Sequence, residues 1–200
     1  MRMWATVFLV ILISCGQVDK KATYANNNET EIKNSYPEKF NKELLESELK
    51  ILEDFRLRRA IFDSYLKSKN KEENIFTCPS CGYPTLSERR GYDICDICKW
   101  EDDGQDDKDA DEIWGGPNGR LSLTQSRLLI GQELQQFADS LKGTIITDPD
   151  KFTLILEEHN KRMEIVDDKI KGDTDINDPL WDEWSRIRDI IKIELIEINK

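Results

Sequence analysis

Thr77-Cys78-Pro79-Ser80-Cys81-Gly82-Tyr83 and Cys95-Asp96-Ile97-Cys98-Lys99-Trp100 are the two stretches that decide how this chain folds. Each is a Cys-x-x-Cys turn, and thirteen residues separate Cys81 from Cys95. Such a turn places two sulfurs on the same side of a tight loop. Two turns brought together offer four thiolates, which is a complete tetrahedral shell for one structural Zn2+ with no open position. Pro79 stiffens the first turn, and Gly82 lets the backbone bend after it. The spacer is short for paired motifs of this kind, yet it accommodates a compact hairpin. Pro84–Ser87 and Gly91–Ile94 read as its two short strands, joined by a Glu88-Arg89-Arg90-Gly91 turn. The expectation is a knuckle, a hairpin and a second knuckle, the layout of a zinc ribbon with Cys78, Cys81, Cys95 and Cys98 as ligands.

Other chemistries compete for these cysteines. In an oxidising compartment they would form two disulfides, and four cysteines allow three pairings. Cys-Pro-Ser-Cys taken alone looks like a glutaredoxin-type redox site. That chemistry needs a strand before the motif and a helix opening at it, and Gly82-Tyr83-Pro84 would disrupt such a helix. A catalytic zinc needs an open coordination position, which four cysteines deny it.

The module resembles the bacterial cysteine-rich domain family named for its Cys-Pro-Cys-Cys motif. The resemblance runs from about Phe76 to Arg127. It is carried by Thr77 to Tyr83, by Glu88-Arg89-Arg90-Gly91-Tyr92-Asp93-Ile94-Cys95, and by Cys98-Lys99-Trp100-Glu101-Asp102-Asp103-Gly104. Gly115-Gly116-Pro117-Asn118-Gly119 and Leu121-Ser122-Leu123-Thr124 extend it. One departure stands out: the second of the family's adjacent cysteines is Ser80 here. The four remaining cysteines still satisfy a zinc site. The resemblance implies a fold and a metal; it implies no activity.

Around the module the sequence reads as helix. From Glu38 to about Lys67, Leu45, Leu49, Leu52, Phe55, Phe62 and Leu66 recur at three- and four-residue steps, broken by one seven-residue gap. After the module, Ser122 and Gln125 form a capping box. They open a stripe of Leu123, Ile130, Leu134, Phe137 and Leu141 that Gly143 is expected to stop. Asp148-Pro149 starts a second helix through Phe152, Ile155, Leu156, Met163, Val166 and Ile170, up to Gly172. Asp178-Pro179 starts a third, with Trp181, Trp184, Ile187, Ile191, Leu195 and Ile198 on its apolar face. The fold class expected is α+β and mostly helical, with a small zinc-ribbon-like β-hairpin module flanked by amphipathic helices. The domain plan has an N-terminal helical segment over 38–74, the cysteine-rich domain over 75–127 and a C-terminal helical region over 128–200.

The first 37 residues belong to none of these. Arg2 and the apolar run Val7 to Ile13, too short to span a bilayer, have the pattern of an export signal. The run ends Leu12-Ile13-Ser14-Cys15, which resembles the lipobox of bacterial lipoproteins. That resemblance implies removal of residues 1–14, a lipid on Cys15, and a membrane-anchored protein of the bacterial cell envelope. Residues 15–37 are polar and read as a flexible tether.

The net charge of −11 disfavours nucleic acid as a partner and is compatible with a basic protein. Glu101 to Glu112 holds eight carboxylates, among them Asp102, Asp103, Asp106 and Asp107. An EF-hand alignment fails, because Lys99 falls on its first ligand or Glu112 on its glycine. A calcium site of another kind or an acidic solvent loop remains open. Arg56, Arg58 and Arg59 read as a solvated helix face paired with Glu53, Asp54 and Asp63. His159, the single histidine, reads as a core or boundary residue, and Trp181 and Trp184 read as core. No catalytic constellation is evident. The function expected is binding or scaffolding of a protein partner. The alternatives are a metal-dependent enzyme using the acidic loop 101–112 and an immunity-type protein that binds a basic partner.

Overall fold

The computed structural model describes residues 38–40, 42–69, 75–171, 175 and 178–199. They lie in one contact unit, Pro37–Lys200. Cys15 and the tether expected over residues 15–37 lie outside the described residues.

The fold is α+β and mostly helical, with the four cysteines gathered in a small module. Helix α1 (Glu46–Ser68) buries Leu52, Phe55, Arg58 and Phe62 on one face. Its start is later than the periodicity suggested. Glu38–Lys39 instead forms a strand, β1, paired antiparallel with β4 (Glu112–Ile113), and the Phe40 N–H donates to the Asp111 carbonyl. Leu45 and Leu49, the first residues of the expected stripe, are exposed.

Helix α2 (Leu123–Leu141) begins as the sequence predicts. The Ser122 hydroxyl accepts from the Gln125 N–H at 3.1 Å, and the Gln125 side chain accepts from the Ser122 N–H at 2.9 Å. At Gly131 the helix crosses α1 so closely that an added Cβ would lie 2.2 Å from Ile51 Cγ2. The residue that turns left-handed at its end is Lys142 (φ 51°), one before the expected glycine. Gly143 serves another purpose. It opens β5 (Gly143–Ile145), paired antiparallel with β6 (Ile196–Ile198), where a Cβ would lie 2.6 Å from the Glu197 carbonyl oxygen.

Helices α3 (Pro149–Ile170) and α4 (Pro179–Glu194) each start with an aspartate cap and a proline, as read. The stop expected at Gly172 lies outside the described residues. Helix α4 ends at Glu194, short of the stripe's last residues. Leu195 and Ile196 are buried as the chain turns into β6, and the Ile146 N–H donates to the Leu195 carbonyl at 2.8 Å. The two helices lie against each other, and no helix among the described residues is long and apolar enough to cross a membrane.

The cysteine module departs from the expected strand pairing. β3 (Pro84–Leu86) pairs with β2 (Phe76–Thr77), ahead of the first cysteine, and Ile94 forms a bridge with Glu101. Each knuckle is therefore the turn of its own short hairpin. The core runs through them without a break. Phe62 of α1, Tyr83 of the first knuckle and Phe152 of α3 contact one another at centroid distances of 5.0 to 5.3 Å. Cys78, Cys81, Cys95, Leu134 and Ile191 belong to the same cluster.

Candidate metal centre

The two hairpins bring the ligand atoms of Cys78, Cys81, Cys95 and Cys98 within 4.8 Å of one another. The Cys78 and Cys98 sulfurs are 3.6 Å apart, as are those of Cys81 and Cys95. A disulfide would need about 2.05 Å, and all four are free. Four sulfurs at about 2.3 Å from one tetrahedral zinc would be about 3.8 Å apart. The observed contacts match that edge.

Local backbone chemistry builds each corner. The Cys78 N–H donates to the Tyr83 carbonyl at 2.8 Å, and the Gly82 N–H to the Cys78 carbonyl at 2.9 Å. The second knuckle repeats both bonds: Cys95 to Trp100 and Lys99 to Cys95, each at 2.9 Å. Both turns close with a left-handed residue, Gly82 (φ 80°) and Lys99 (φ 61°). The Ser80 N–H donates to the Cys78 sulfur at 3.4 Å and the Thr85 hydroxyl to the Cys95 sulfur at 3.0 Å. Donors of this kind favour thiolate over thiol.

Two arginines hold the first knuckle from the helices. Arg58 of α1 is only 3% exposed; it donates to the Cys81 carbonyl at 2.8 Å and lies over the Tyr83 ring. Arg127 of α2 donates to the Pro79 carbonyl at 2.9 Å and lies over the Phe55 ring. Both are buried, so the reading of Arg58 as part of a solvated face is corrected, as is that of Arg59, which reaches across to the acidic loop. Arg56 keeps the expected exposed pairing with Glu53, and Arg59 also keeps a 4.0 Å ion pair with Asp63. A divalent ion held by four thiolates would carry net charge −2, and the two buried guanidinium groups at the first knuckle would offset part of it. Ser80 is fully buried, with its hydroxyl 2.7 Å from the Ser126 hydroxyl of α2. The residue that departs from the Cys-Pro-Cys-Cys pattern thus joins the knuckle to a helix.

Burial drives the Cys78 and Cys81 thiols well above their ordinary range. Burial acts on Cys95 in the same direction, but hydrogen bonds from the other three sulfurs pull it well below. Cys78, Cys81 and Cys95, fully buried together, can all ionise only if a cation neutralises them. Tetrahedral binding by all four would leave no corner for a substrate, so the chemistry is that of a structural metal.

The acidic loop is largely paired. Asp102, fully buried, accepts from Arg89 Nε at 2.8 Å and from the Arg90 N–H at 2.7 Å. Asp106 receives two bonds from Arg59, at 2.8 and 3.1 Å, and one from Arg89 at 3.0 Å. Burial works against its ionisation, yet these arginines hold its carboxyl well below the usual range. Asp107 accepts from Arg127 at 2.7 Å, and Asp109 accepts from the Asp106 N–H at 2.7 Å. Asp103 accepts from the Gln105 N–H and from Asn118, and Asp111 from the Thr124 hydroxyl. Among the described residues, the cysteine quartet is the group of side chains close enough to hold a metal.

His159 is buried, as expected. Trp181 and Trp184 are not core. Trp181 is 39% exposed and Trp184 half-buried, and with Met163 and Arg188 they line an open groove between α3 and α4.

Residues 76–132 match the model of the family described as Cysteine-rich CPCC. The match is shorter than half of the chain and reaches slightly beyond the Arg127 boundary read from the motifs. No curated protein and no solved structure matches the chain.

Proposed function

We propose that this chain is a lipid-anchored envelope protein whose cysteine-rich domain is stapled by one structural zinc and presents a surface to a protein partner. The observation that carries the metal is the sulfur quartet: four cysteine ligand atoms within 4.8 Å, with two contacts at 3.6 Å. Zinc is the ion these donors suit best, since four thiolates in a tetrahedral set favour it over calcium or magnesium. The buried arginines beside the first knuckle add to this reading. The anchor rests on the Leu12-Ile13-Ser14-Cys15 pattern and on the apolar run before it. The binding role rests on the closed donor set, which leaves the metal no catalytic position. The enzyme alternative loses support from the arginine and cap contacts of the acidic loop. The immunity-type alternative keeps only the acidic net charge as its support.

Elemental analysis of the purified full chain tests the metal. About one zinc per chain is expected, and metal-free protein without titratable thiols would establish disulfides instead. Incorporation of a labelled fatty acid, abolished by Cys15→Ala, tests the anchor; labelling that survives the substitution sinks it.

A further inference from the structure

We propose that Cys98 is the oxidation site of this centre, where attack by a hydroperoxide opens the quartet and links Cys98 to Cys78 across the two knuckles. The proposal rests on reading the quartet as a metal site. Its own support is the unequal burial of the four sulfur ligands. Cys78, Cys81 and Cys95 are fully buried, whereas Cys98 is half-buried at the edge of the core. An oxidant from solvent therefore meets Cys98 first. The flanking residues add to this. Asp96 is exposed and Lys99 half-buried, so the chain on both sides of Ile97-Cys98 reaches solvent. Access to solvent is one requirement of a reactive cysteine.

The disulfide partner follows from distance. Cys98 contacts the Cys78 sulfur at 3.6 Å, and closure to a disulfide of about 2.05 Å needs a movement of about 1.5 Å. The first knuckle cannot easily make that movement. Arg58, Arg127 and Ser126 hold the Pro79-Ser80-Cys81 backbone and the Ser80 side chain, and the Tyr83 hydroxyl donates to the Ile146 carbonyl at 2.7 Å. The second knuckle moves instead.

In the first step the Cys98 sulfur attacks one peroxide oxygen. The O–O bond breaks, the other oxygen leaves as alkoxide or hydroxide, and Cys98 becomes a sulfenic acid. In the second step the Cys78 sulfur attacks the Cys98 sulfur. An S–S bond forms, and the sulfenic oxygen departs as hydroxide. The two cysteines lose two electrons, one hydroperoxide gains them, and two protons from solvent convert the leaving groups to an alcohol or water and one water. Two of the four ligands are then lost to the metal, and Cys81 and Cys95 alone do not retain it. A thiol reductant reverses the disulfide and restores the site.

The test uses the zinc-loaded full chain, with metal content measured first. Hydrogen peroxide is added in increments while a chromogenic chelator reports released zinc. Trypsin cleavage after Arg89 and Arg90 puts the knuckles on separate peptides, so non-reducing mass spectrometry separates cross-links between knuckles from disulfides within one, and fragmentation of the alkylated cross-linked peptides locates the paired cysteines. The expected result is zinc release in step with a Cys78–Cys98 cross-link, at one peroxide per disulfide, and recovery with reductant. A first disulfide within one knuckle, or release that precedes any disulfide, overturns the proposal. Cys98→His keeps a metal ligand and removes the thiol, and should slow peroxide-driven release by at least about tenfold. An unchanged rate also overturns it. Protein that holds no zinc before oxidant is added refutes the metal reading instead, and the disulfide map of the reduced chain still decides whether Cys98 and Cys78 pair first.

Discussion

The two knuckles share a backbone and differ in everything around it. Both repeat the same two hydrogen bonds, both end in a left-handed residue, and both continue into a buried aromatic, Tyr83 or Trp100. The first is enclosed. Its carbonyls are held by Arg58 and Arg127, and its left-handed residue packs so near α1 that a Cβ on Gly82 would be 3.3 Å from the Arg59 nitrogen and 3.4 Å from Phe55 Cδ2. The second is buried on one side only, through Cys95, Ile97 and Trp100. Its left-handed residue is a half-buried lysine, and its adjoining hairpin strand is held by Asn118, which exchanges hydrogen bonds with the Glu101 backbone. Sulfur geometry thus comes from a local motif used twice. The helices clamp one copy by its carbonyls; the other buries Cys95, Ile97 and Trp100 but leaves Asp96, Cys98 and Lys99 in reach of solvent.

The largest effect should come from removing one cysteine of the quartet, which would break the proposed metal's hold on both knuckles. Cys95→Ser is expected to abolish stoichiometric zinc and to cost at least about 4 kcal/mol, since structural zinc contributes directly to folding. An unchanged melting curve would count against the site. The next effect belongs to the first knuckle alone. Arg58→Ala leaves the Cys81 carbonyl unpaired and a space against Tyr83, for a loss of about 2–3 kcal/mol. That corresponds to a melting temperature lower by roughly 5–10 °C. Gly82→Ala should cost about 2 kcal/mol, from the left-handed backbone and the contact with α1. Wild-type stability in either variant would break the contrast between the knuckles.

The sequence made the quartet, its pairing into two turns and three of the four helix starts legible, because each depends on neighbours within a few residues. Ser122 with Gln125, Asp148 with Pro149 and Asp178 with Pro179 are signals of that kind. What stayed hidden depends on contacts distant in sequence. Leu195–Ile198 continues a helical stripe, and only the pairing with Gly143–Ile145 turns it into a strand. Glu38–Lys39 is a strand only because Glu112–Ile113 lies beside it. The arginine clamp left a trace that could have been read. The stripe of α1 has a seven-residue gap between Phe55 and Phe62, and that of α2 has one between Leu123 and Ile130. Arg58 and Arg127 fill those gaps on the buried faces. A charged residue at a core position of each helix signals a buried carbonyl or anion to be met.

Acid should act on this molecule in two windows. His159 is buried, and burial lowers its pKa; the Glu194 charge opposes the shift, while Arg162 and the second knuckle's Lys99 reinforce it. An unfolded histidine titrates near about 6.5, so the unfolded state gains a proton there that the folded state resists. Stability therefore falls as pH drops below that value. Asp106 has the opposite charge type and a lowered pKa. Its contribution is present above about pH 4 and is lost as pH falls further toward its folded pKa. Melting temperatures of wild type and His159→Gln, measured from pH 7.5 to 5, should converge as pH falls. Parallel curves would remove His159 from the account.

The smallest effect is expected at the position that matches Gly82. Lys99 adopts φ 61°, which costs a non-glycine residue about 1 kcal/mol. Lys99→Gly relieves that strain, but glycine loses more backbone entropy on folding, by roughly 0.5–1 kcal/mol. The two nearly cancel, so the substitution should change stability by no more than about 0.5 kcal/mol and leave zinc content intact. Comparison with Gly82→Ala then isolates enclosure, because the two positions have similar backbone conformations and differ in what surrounds them. Equal losses at both positions would mean that the second knuckle is held as tightly as the first, and that its lysine is as constrained as the glycine it parallels.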